Sequence, residues 1–226
     1  MKNEKSVAEP QSTPLSFSKV ENWFLEQSGR QLLYEPTEKI PVIEVAHFPA
    51  LGRLTAMRFL EWAIEHPDGV ISLPTGKTPE YFIKQVIYLL KNWGSPEVKD
   101  LWASVGLAAS ARPDLRGLRF VQIDEFYPID PLQQNSFTYY VNKHYIRGFG
   151  LDPARAMLID TSAIGIPAGQ SLDTVFPTGQ VDLSLRARNP NSHLEEIQRD
   201  TILAVDQFCC EYEARIRQMG GLGFFL

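Results

Sequence analysis

The strongest constraint on how this chain can fold is a short apolar run that turns through glycine and hydroxyl residues into a helix. Residues 69–73 predict a buried strand, and an apolar face at helical spacing follows from Pro79 to about Lys91, formed by Ile83, Val86, Ile87 and Leu90. Proline suits the first position of a helix and threonine is a good cap, so we predict Thr78 as the N-cap. The segment is therefore a strand–turn–helix unit.

The turn of this unit offers an anion site. The first N–H groups of a helix have no partner within the helix, and the helix dipole adds positive potential there. Phosphate is therefore the expected ligand. A nucleoside-triphosphate P-loop is excluded, because it requires a glycine where this chain has Ile71. Two interpretations stay open at this point: a plain turn in which Thr78 only caps the helix, and a monophosphate site formed by Thr75, Gly76, Lys77 and Thr78.

The same alternation continues and predicts an α/β fold. Residues 50–65 predict a helix before the first strand, residues 118–123 a second strand, and residues 193–219 a long helix. Strands and helices that alternate at this spacing favour a Rossmann-like, doubly wound and mostly parallel sheet with helices on both faces. A further strand begins at residue 222, so we expect the sheet to be incomplete where this sequence stops.

We divide the chain into a disordered tail at residues 1–14, an N-terminal extension at 15–45 and one α/β domain at 46–226. Inside the domain, residues 161–192 are rich in Gly, Pro, Ser, Asp and Asn, which predicts a long surface excursion.

Composition narrows the class of partner. The 226 residues carry a net charge of −5, which argues against a nucleic-acid surface. The two cysteines, Cys209 and Cys210, are adjacent and fit neither a disulfide framework nor a zinc motif, so no metal is expected and the compartment is predicted to be reducing. The sequence shows no signal peptide and no run of eighteen apolar residues. We expect a cytoplasmic protein with no membrane partner.

Asp124 and Glu125 follow the second predicted strand directly. Open α/β sheets bind ligands at the carboxyl ends of their strands, where the 73–79 loop also lies. One of the two carboxylates could act as a general base beside a phosphorylated substrate. The alternative is that Asp124 only caps the turn that follows it.

Four segments resemble the glucosamine-6-phosphate deaminase (isomerase) family. Residues 73–79 match its Leu-Pro-Thr-Gly-x-Thr-Pro loop, and residues 124–126 resemble its Asp-Glu-Tyr. Residues 135–137 are similar to its Glu/Asn-Ser-Tyr segment, and the last helix ends in a comparable Gly220-Gly221. The resemblance covers roughly residues 40–226.

The resemblance implies a fold, an activity and residue roles. Thr75, Gly76, Lys77 (through its backbone) and Thr78 hold the phosphate of an amino-sugar phosphate such as glucosamine 6-phosphate. Asp124 is the base that moves a proton from C2 to C1, and Glu125 lies beside it in a positional rather than catalytic role. The products are fructose 6-phosphate and ammonia, and no cofactor is required.

Two departures from the family pattern bear on activity. The family's second half carries an Asp-Gly-His motif, and this sequence stops at Leu226 before that motif would begin; none of its four histidines has a matching context. We therefore expect a fragment of a longer protein, inactive in this form. The excursion at residues 161–192 is longer than the usual connection, which leaves the substrate open.

Two other functions remain in competition. A 6-phosphogluconolactonase-like hydrolase shares the fold, but it usually has Gly-Asp-Glu-Arg where this chain has Asp124-Glu125-Phe126 preceded by isoleucine. A non-catalytic sugar-phosphate-binding module is the second alternative. A homo-oligomer is compatible with any of these functions.

Overall fold

The computed structural model describes residues 18–28, 43–107 and 111–226. The tail predicted at residues 1–14 lies outside the described residues, as does much of the predicted extension at 15–45. The described part of that extension is a helix, α1 (Lys19–Ser28), which buries Val20 and Phe24 in the core.

Short strands and helices alternate along the rest of the described chain. In order they are α2 (Phe48–Glu65), β1 (Val70–Ser72), α3 (Glu80–Lys91), α4 (Pro96–Ser104), β2 (Arg119–Val121), α5 (Phe137–Val141), a π-helical turn (Asn142–Ile146), α6 (Arg147–Phe149), β3 (Ala156–Met157), α7 (Leu172–Val175), α8 (His193–Gln218) and β4 (Phe224–Phe225). None of the helices in the described ranges is long and apolar enough to cross a membrane.

The four strands form one parallel sheet in the order β3-β2-β1-β4. In its register, Ile71 pairs with Phe120 on one side and with Phe224 on the other. The strands β1, β2 and β3 are added in sequence toward one side of the sheet. After β3, α8 crosses the sheet, and β4 is added on the other side of β1. The direction of strand addition therefore reverses between β1 and β4, and in open α/β sheets this switch point is where ligands bind.

Helices cover both faces of the sheet. Ile71 and Phe120 point into the large core formed with α2, α3 and the helical segment after Ser136. The alternate residues Val70 and Val121 point to the opposite face, where they pack under α8 with Tyr212. The predicted α/β class, with a mostly parallel sheet and helices on both faces, is confirmed.

Two helices, α2 and α3, pack closely against each other on the core face of the sheet. Gly52 of α2 lies against Tyr81 of α3 so closely that an added Cβ would stand 2.5 Å from the tyrosine Cβ. Only a glycine permits this approach, which brings α3, and with it the end of the 73–79 loop, against α2.

Local boundaries differ from the sequence prediction at several points. β1 and β2 are three residues each, shorter than predicted. The prediction that Thr78 caps α3 was wrong: Pro79 is the cap, with φ −79° and ψ 7°, and no side chain caps the helix. The excursion at residues 161–192 contains α7 and buries Val175 and Leu185 completely, so part of it packs against the domain.

Candidate functional site

The two predicted site segments leave the same edge of the sheet from neighbouring strands. β1 and β2 pair in parallel, and the Ser72 hydroxyl donates to the Val121 carbonyl at 2.8 Å, which joins the two strand ends. The 73–79 loop follows β1, and Asp124 and Glu125 follow β2. The spatial relation expected between the loop and the carboxylates is thus present in the structure.

The backbone of the 73–79 loop is free to bind a ligand. Among the described residues, no hydrogen-bond acceptor meets the N–H groups of Thr75, Gly76, Lys77 and Thr78. Gly76 has a φ of +88°, and a Cβ built there would meet nothing within 4 Å. Glycine is therefore favoured here by the backbone conformation, because there is room for a larger residue. Successive N–H groups with a left-handed residue among them form the kind of concavity that binds anions.

A buried tyrosine holds the start of this loop. Tyr145 lies in the π-helical turn, and its hydroxyl donates to the Pro74 carbonyl. The ring is completely buried and lies against Phe120 and Phe149, at centroid distances of 5.7 and 5.2 Å. Burial raises the pKa of the phenol, and the hydroxyl therefore remains a donor at neutral pH. Sequence reasoning missed this residue, because nothing local links it to a loop 71 residues away.

The carboxylate of Glu125 is hydrogen-bonded to the start of α5. Its carboxylate accepts hydrogen bonds from the Ser136 hydroxyl and the Thr138 N–H, both at 2.7 Å, and from the N–H groups of Phe126 and Phe137, both at 3.0 Å. Burial opposes ionisation of Glu125, but these hydrogen bonds outweigh it and lower the pKa of the carboxyl below its usual value. Glu125 is therefore an ionised group that joins the end of β2 to the following helix.

Asp124 is exposed, and its carboxylate has no hydrogen-bond donor among the described residues. Partial burial and the adjacent charge of Glu125 raise its pKa. A completely buried amide positions its backbone: Gln122 Nε2 donates to the Asp124 carbonyl at 2.9 Å. The other end of that amide, Gln122 Oε1, accepts from the Thr138 hydroxyl and the Ile159 N–H, both at 3.0 Å. The free carboxylate with the raised pKa is the better base of the pair.

A cavity of about 470 Å³ opens beside Asp124, between the strand ends and α8. Its lining is mostly apolar and includes Phe208 and Phe225, together with the three carboxylates of Asp124, Glu125 and Glu213. Thr75, Gly76, Lys77 and Thr78 do not line it. The loop and Asp124 therefore share an edge of the sheet but not one enclosed pocket.

None of the four histidines lines this cavity, and each makes a contact within the described part of the chain. His47 caps α2 through its Nδ1, His66 stacks on Trp62, His144 lies against Tyr140, and His193 pairs with Glu196. In the described ranges, no group of three or more His, Cys, Asp or Glu side chains is arranged to hold a metal ion.

The fold and this edge define a class: a doubly wound α/β protein with an unpaired glycine turn after β1 and, after the neighbouring β2, a carboxylate that has no hydrogen-bond donor among the described residues. No protein-family model matches the chain. Three curated relatives do, and all are named glucosamine-6-phosphate deaminase. That of Bacillus velezensis is 26% identical over 68% of this chain and 57% of its own length. Those of Halothermothrix orenii and a Geobacillus species are 21% and 24% identical, each over 55% of its own length.

The resemblance predicted from the motifs, to the glucosamine-6-phosphate deaminase family, is confirmed by these relatives. The chain spans a little over half the length of the curated relatives it matches. A solved structure described as a monomeric glucosamine-6-phosphate deaminase aligns with a TM-score of 0.48 and 17% identity, over 79% of this chain and 50% of the other. The fold assignment rests on the strand order of this chain itself.

Proposed function

We propose that this chain binds the phosphate of an amino-sugar phosphate, and that it forms part of a deaminase that acts on glucosamine 6-phosphate. The observation that supports this most directly is the row of backbone N–H groups from Thr75 to Thr78, which have no acceptor among the described residues. A phosphate monoester supplies three acceptor oxygens to such a row. The names of the three relatives supply the substrate class.

Asp124 is the proposed base. It removes the C2 proton of the open-chain amino sugar and returns a proton to C1. The C1 oxygen gains a proton and the C2 nitrogen loses one, so the aldehyde becomes an alcohol and the amine becomes an imine. Water then adds to the imine, which releases ammonia and leaves fructose 6-phosphate. A base acts best when its pKa lies near the working pH, and the raised pKa of Asp124 serves this requirement. Glu125 acts by positioning, because both its oxygens are occupied.

We attribute the alignment of the substrate with Asp124 in this step to binding of its phosphate by the 73–79 loop. The loop after β1 fixes one end of the sugar, and the neighbouring strand fixes the carboxylate, so the reacting carbon is presented to Asp124 without a separate orienting group. No cofactor takes part in the proposed reaction.

Binding and proton transfer can be tested separately on the purified chain. We expect calorimetry to detect glucosamine 6-phosphate but not glucosamine, which lacks the phosphate. Proton transfer is measured by NMR as exchange of the C1 hydrogen of fructose 6-phosphate with D₂O. Asp124→Asn should keep the binding and abolish any exchange, whereas the control Asp68→Asn, at the opposite edge of the sheet, should change neither.

The outcomes bear on the competing functions in different ways. Binding without exchange is expected both of an inactive part of a deaminase and of a non-catalytic sugar-phosphate-binding module, whereas exchange that Asp124→Asn abolishes would favour the deaminase. Hydrolysis of 6-phosphogluconolactone would favour the lactonase-like alternative. Equal affinity for glucosamine and its phosphate would contradict the proposed role of the 73–79 loop.

A further inference from the structure

A cleft lined by arginines lies at the opposite edge of the sheet, at the amino ends of β2 and β3. An open cleft of about 410 Å³ runs between the first residue of β2, the turn before β3 and the last turns of α8. We call it the arginine cleft, and its lining residues are Arg119, Ala154, Arg155, Ala156, Met157, Arg215, Gln218 and Met219. Three of these eight residues are arginines and none is acidic. The lining thus combines three fixed positive charges with an apolar floor.

The three arginines are not neutralised within the described part of the chain. No described carboxylate forms an ion pair with Arg119, Arg155 or Arg215, and the Nε of Arg155 is buried without a hydrogen-bond partner. Asp152, three residues before Arg155, uses its side chain to cap the turn at the Ala154 N–H instead. A buried guanidinium nitrogen normally has an acceptor, so this group lacks the partner that its position requires.

Other described arginines, by contrast, have carboxylate partners. Arg217, two residues after Arg215 on α8, pairs with Glu213 at 2.6 Å. Arg188 pairs with both Asp182 and Glu195 at 2.8 Å. In a chain with a net charge of −5, carboxylates are plentiful, and their exclusion from the arginine cleft leaves positive potential there.

We propose that the arginine cleft binds a small phosphorylated metabolite, at a site separate from the 73–79 loop. Guanidinium groups match the geometry of phosphate oxygens and bind them in a bidentate manner. The volume exceeds that of a lone phosphate and lies in the range of pockets for small organic ligands. The apolar floor at Met157 and Met219 accommodates the organic part.

The cleft and the proposed reaction site lie at opposite ends of β2. Arg119 begins the strand, whereas Asp124 follows its end. In open α/β sheets the reacting groups gather at the carboxyl ends, so a ligand at the amino end is not the substrate of the same step. The inference does not depend on the deaminase assignment.

The test measures binding of inorganic pyrophosphate and of glucose 6-phosphate to the whole chain by calorimetry. Arg155→Gln and Arg215→Gln should each weaken binding about tenfold or more, the loss expected for a charge-assisted hydrogen bond. The matched control is Arg217→Gln, which removes the same charge from the same helix outside the cleft and should change the affinity less than twofold. Gly76→Ala, which strains the backbone of the 73–79 loop, should leave binding to the cleft intact.

Further measurements keep the proposal falsifiable if a glutamine variant does not fold. Arg155→Lys keeps the charge but loses the planar fork, and we expect it to weaken binding less than the glutamine change. The arginine Nε–H resonances should shift on titration in the unaltered chain. Equal affinities in all arginine variants, loss of all binding in Gly76→Ala, or binding to anionic vesicles or RNA but not to the small phosphates would overturn the proposal.

Discussion

Gly76 is the residue on which the conformation of the 73–79 loop depends. Its φ of +88° lies in the left-handed region, where a residue with a Cβ is strained by about 1–2 kcal/mol. The surrounding space is open, so the cost of a larger residue comes from the backbone alone. The same backbone direction sets where the neighbouring N–H groups point.

We expect Gly76→Ala to weaken binding of glucosamine 6-phosphate by about tenfold and to lower the free energy of unfolding by about 1 kcal/mol, because the loop must either carry strain or turn its N–H groups away. Calorimetry and urea denaturation measure the two effects. Gly94→Ala is the matched control, since Gly94 also has open space around it but no positive φ. Unchanged affinity in Gly76→Ala would show that the loop conformation does not matter for the ligand.

Glu125 is a residue whose partners only the structure reveals. The family resemblance implies a positional role for it beside Asp124, and in the structure its oxygens accept four hydrogen bonds. We expect Glu125→Gln to lower the free energy of unfolding by about 1–3 kcal/mol at pH 7, because an amide cannot accept from all these donors. Urea denaturation measures the loss.

The pH dependence of that loss follows from the lowered pKa of Glu125. The stabilisation is fully present above the ordinary value of 4.5 and disappears as the pH falls through the lower pKa of the folded state. The difference in stability between the unaltered chain and Glu125→Gln should therefore shrink below pH 4.5. A difference that stays constant down to pH 3 would contradict the assignment of an ionised, hydrogen-bonded carboxylate.

At the scale of elements, the π-helical turn (Asn142–Ile146) connects the core to the 73–79 loop. Extra residues in a helical turn re-aim the side chains that follow, and here Tyr145 is directed from the core face onto the Pro74 carbonyl. α5 is in turn fixed to the end of β2 through Glu125 and Gln122. One helical segment therefore positions both halves of the candidate site.

Removing only the Tyr145 hydroxyl tests this connection. We expect Tyr145→Phe to keep the ring packing, to lower the free energy of unfolding by about 1 kcal/mol, and to weaken sugar-phosphate binding several-fold, because the Pro74 carbonyl loses its donor. Thr201→Val is the control: it removes a comparable buried bond, from the Thr201 hydroxyl to the Gly165 carbonyl at 2.9 Å, in a part of the chain distant from the loop. A similar drop in affinity in both variants would mean that general destabilisation, not loop anchoring, is the cause.

At the scale of the whole molecule, the two faces of the sheet are covered unequally. The face toward α2 and α3 carries the large aromatic core, whereas the face toward α8 is held by a small cluster around Tyr212. The Tyr212 hydroxyl lies 2.9 Å from the Gln122 carbonyl and 2.8 Å from that of Met157. Less buried apolar area on the α8 face means a lower free energy of local opening there.

Hydrogen exchange followed by mass spectrometry should reveal this asymmetry. We expect the amides in the second half of α8 to exchange faster than those of α3 (Glu80–Lys91), and Tyr212→Phe to accelerate exchange in α8 while leaving α3 unchanged. Phosphate binding at the 73–79 loop, which leads directly into α3, should slow exchange in α3 more than in α8. Equal protection of the two helices would show that the α8 face is as well stabilised as the other.

The sequence by itself determined the features that depend on near neighbours. The alternation of strands and helices, the parallel sheet and the turn at Gly76 all follow from patterns within about twenty residues, because propensity and hydrophobic periodicity act at that range. The strand ends and the position of the cap at Pro79 were less well predicted, since a shift of one residue costs little locally. The motif order was enough to indicate the family.

Only the tertiary structure decided which polar groups meet. In the structure Glu125 is hydrogen-bonded to α5, whereas Asp124 has no such partner among the described residues. Tyr145 donates to a loop 71 residues away, and three arginines line one cleft. These contacts depend on strand order and helix placement, which bring together residues that no local pattern relates. Burial then set the energies, because a hydrogen bond or an unpaired charge matters most where water is excluded.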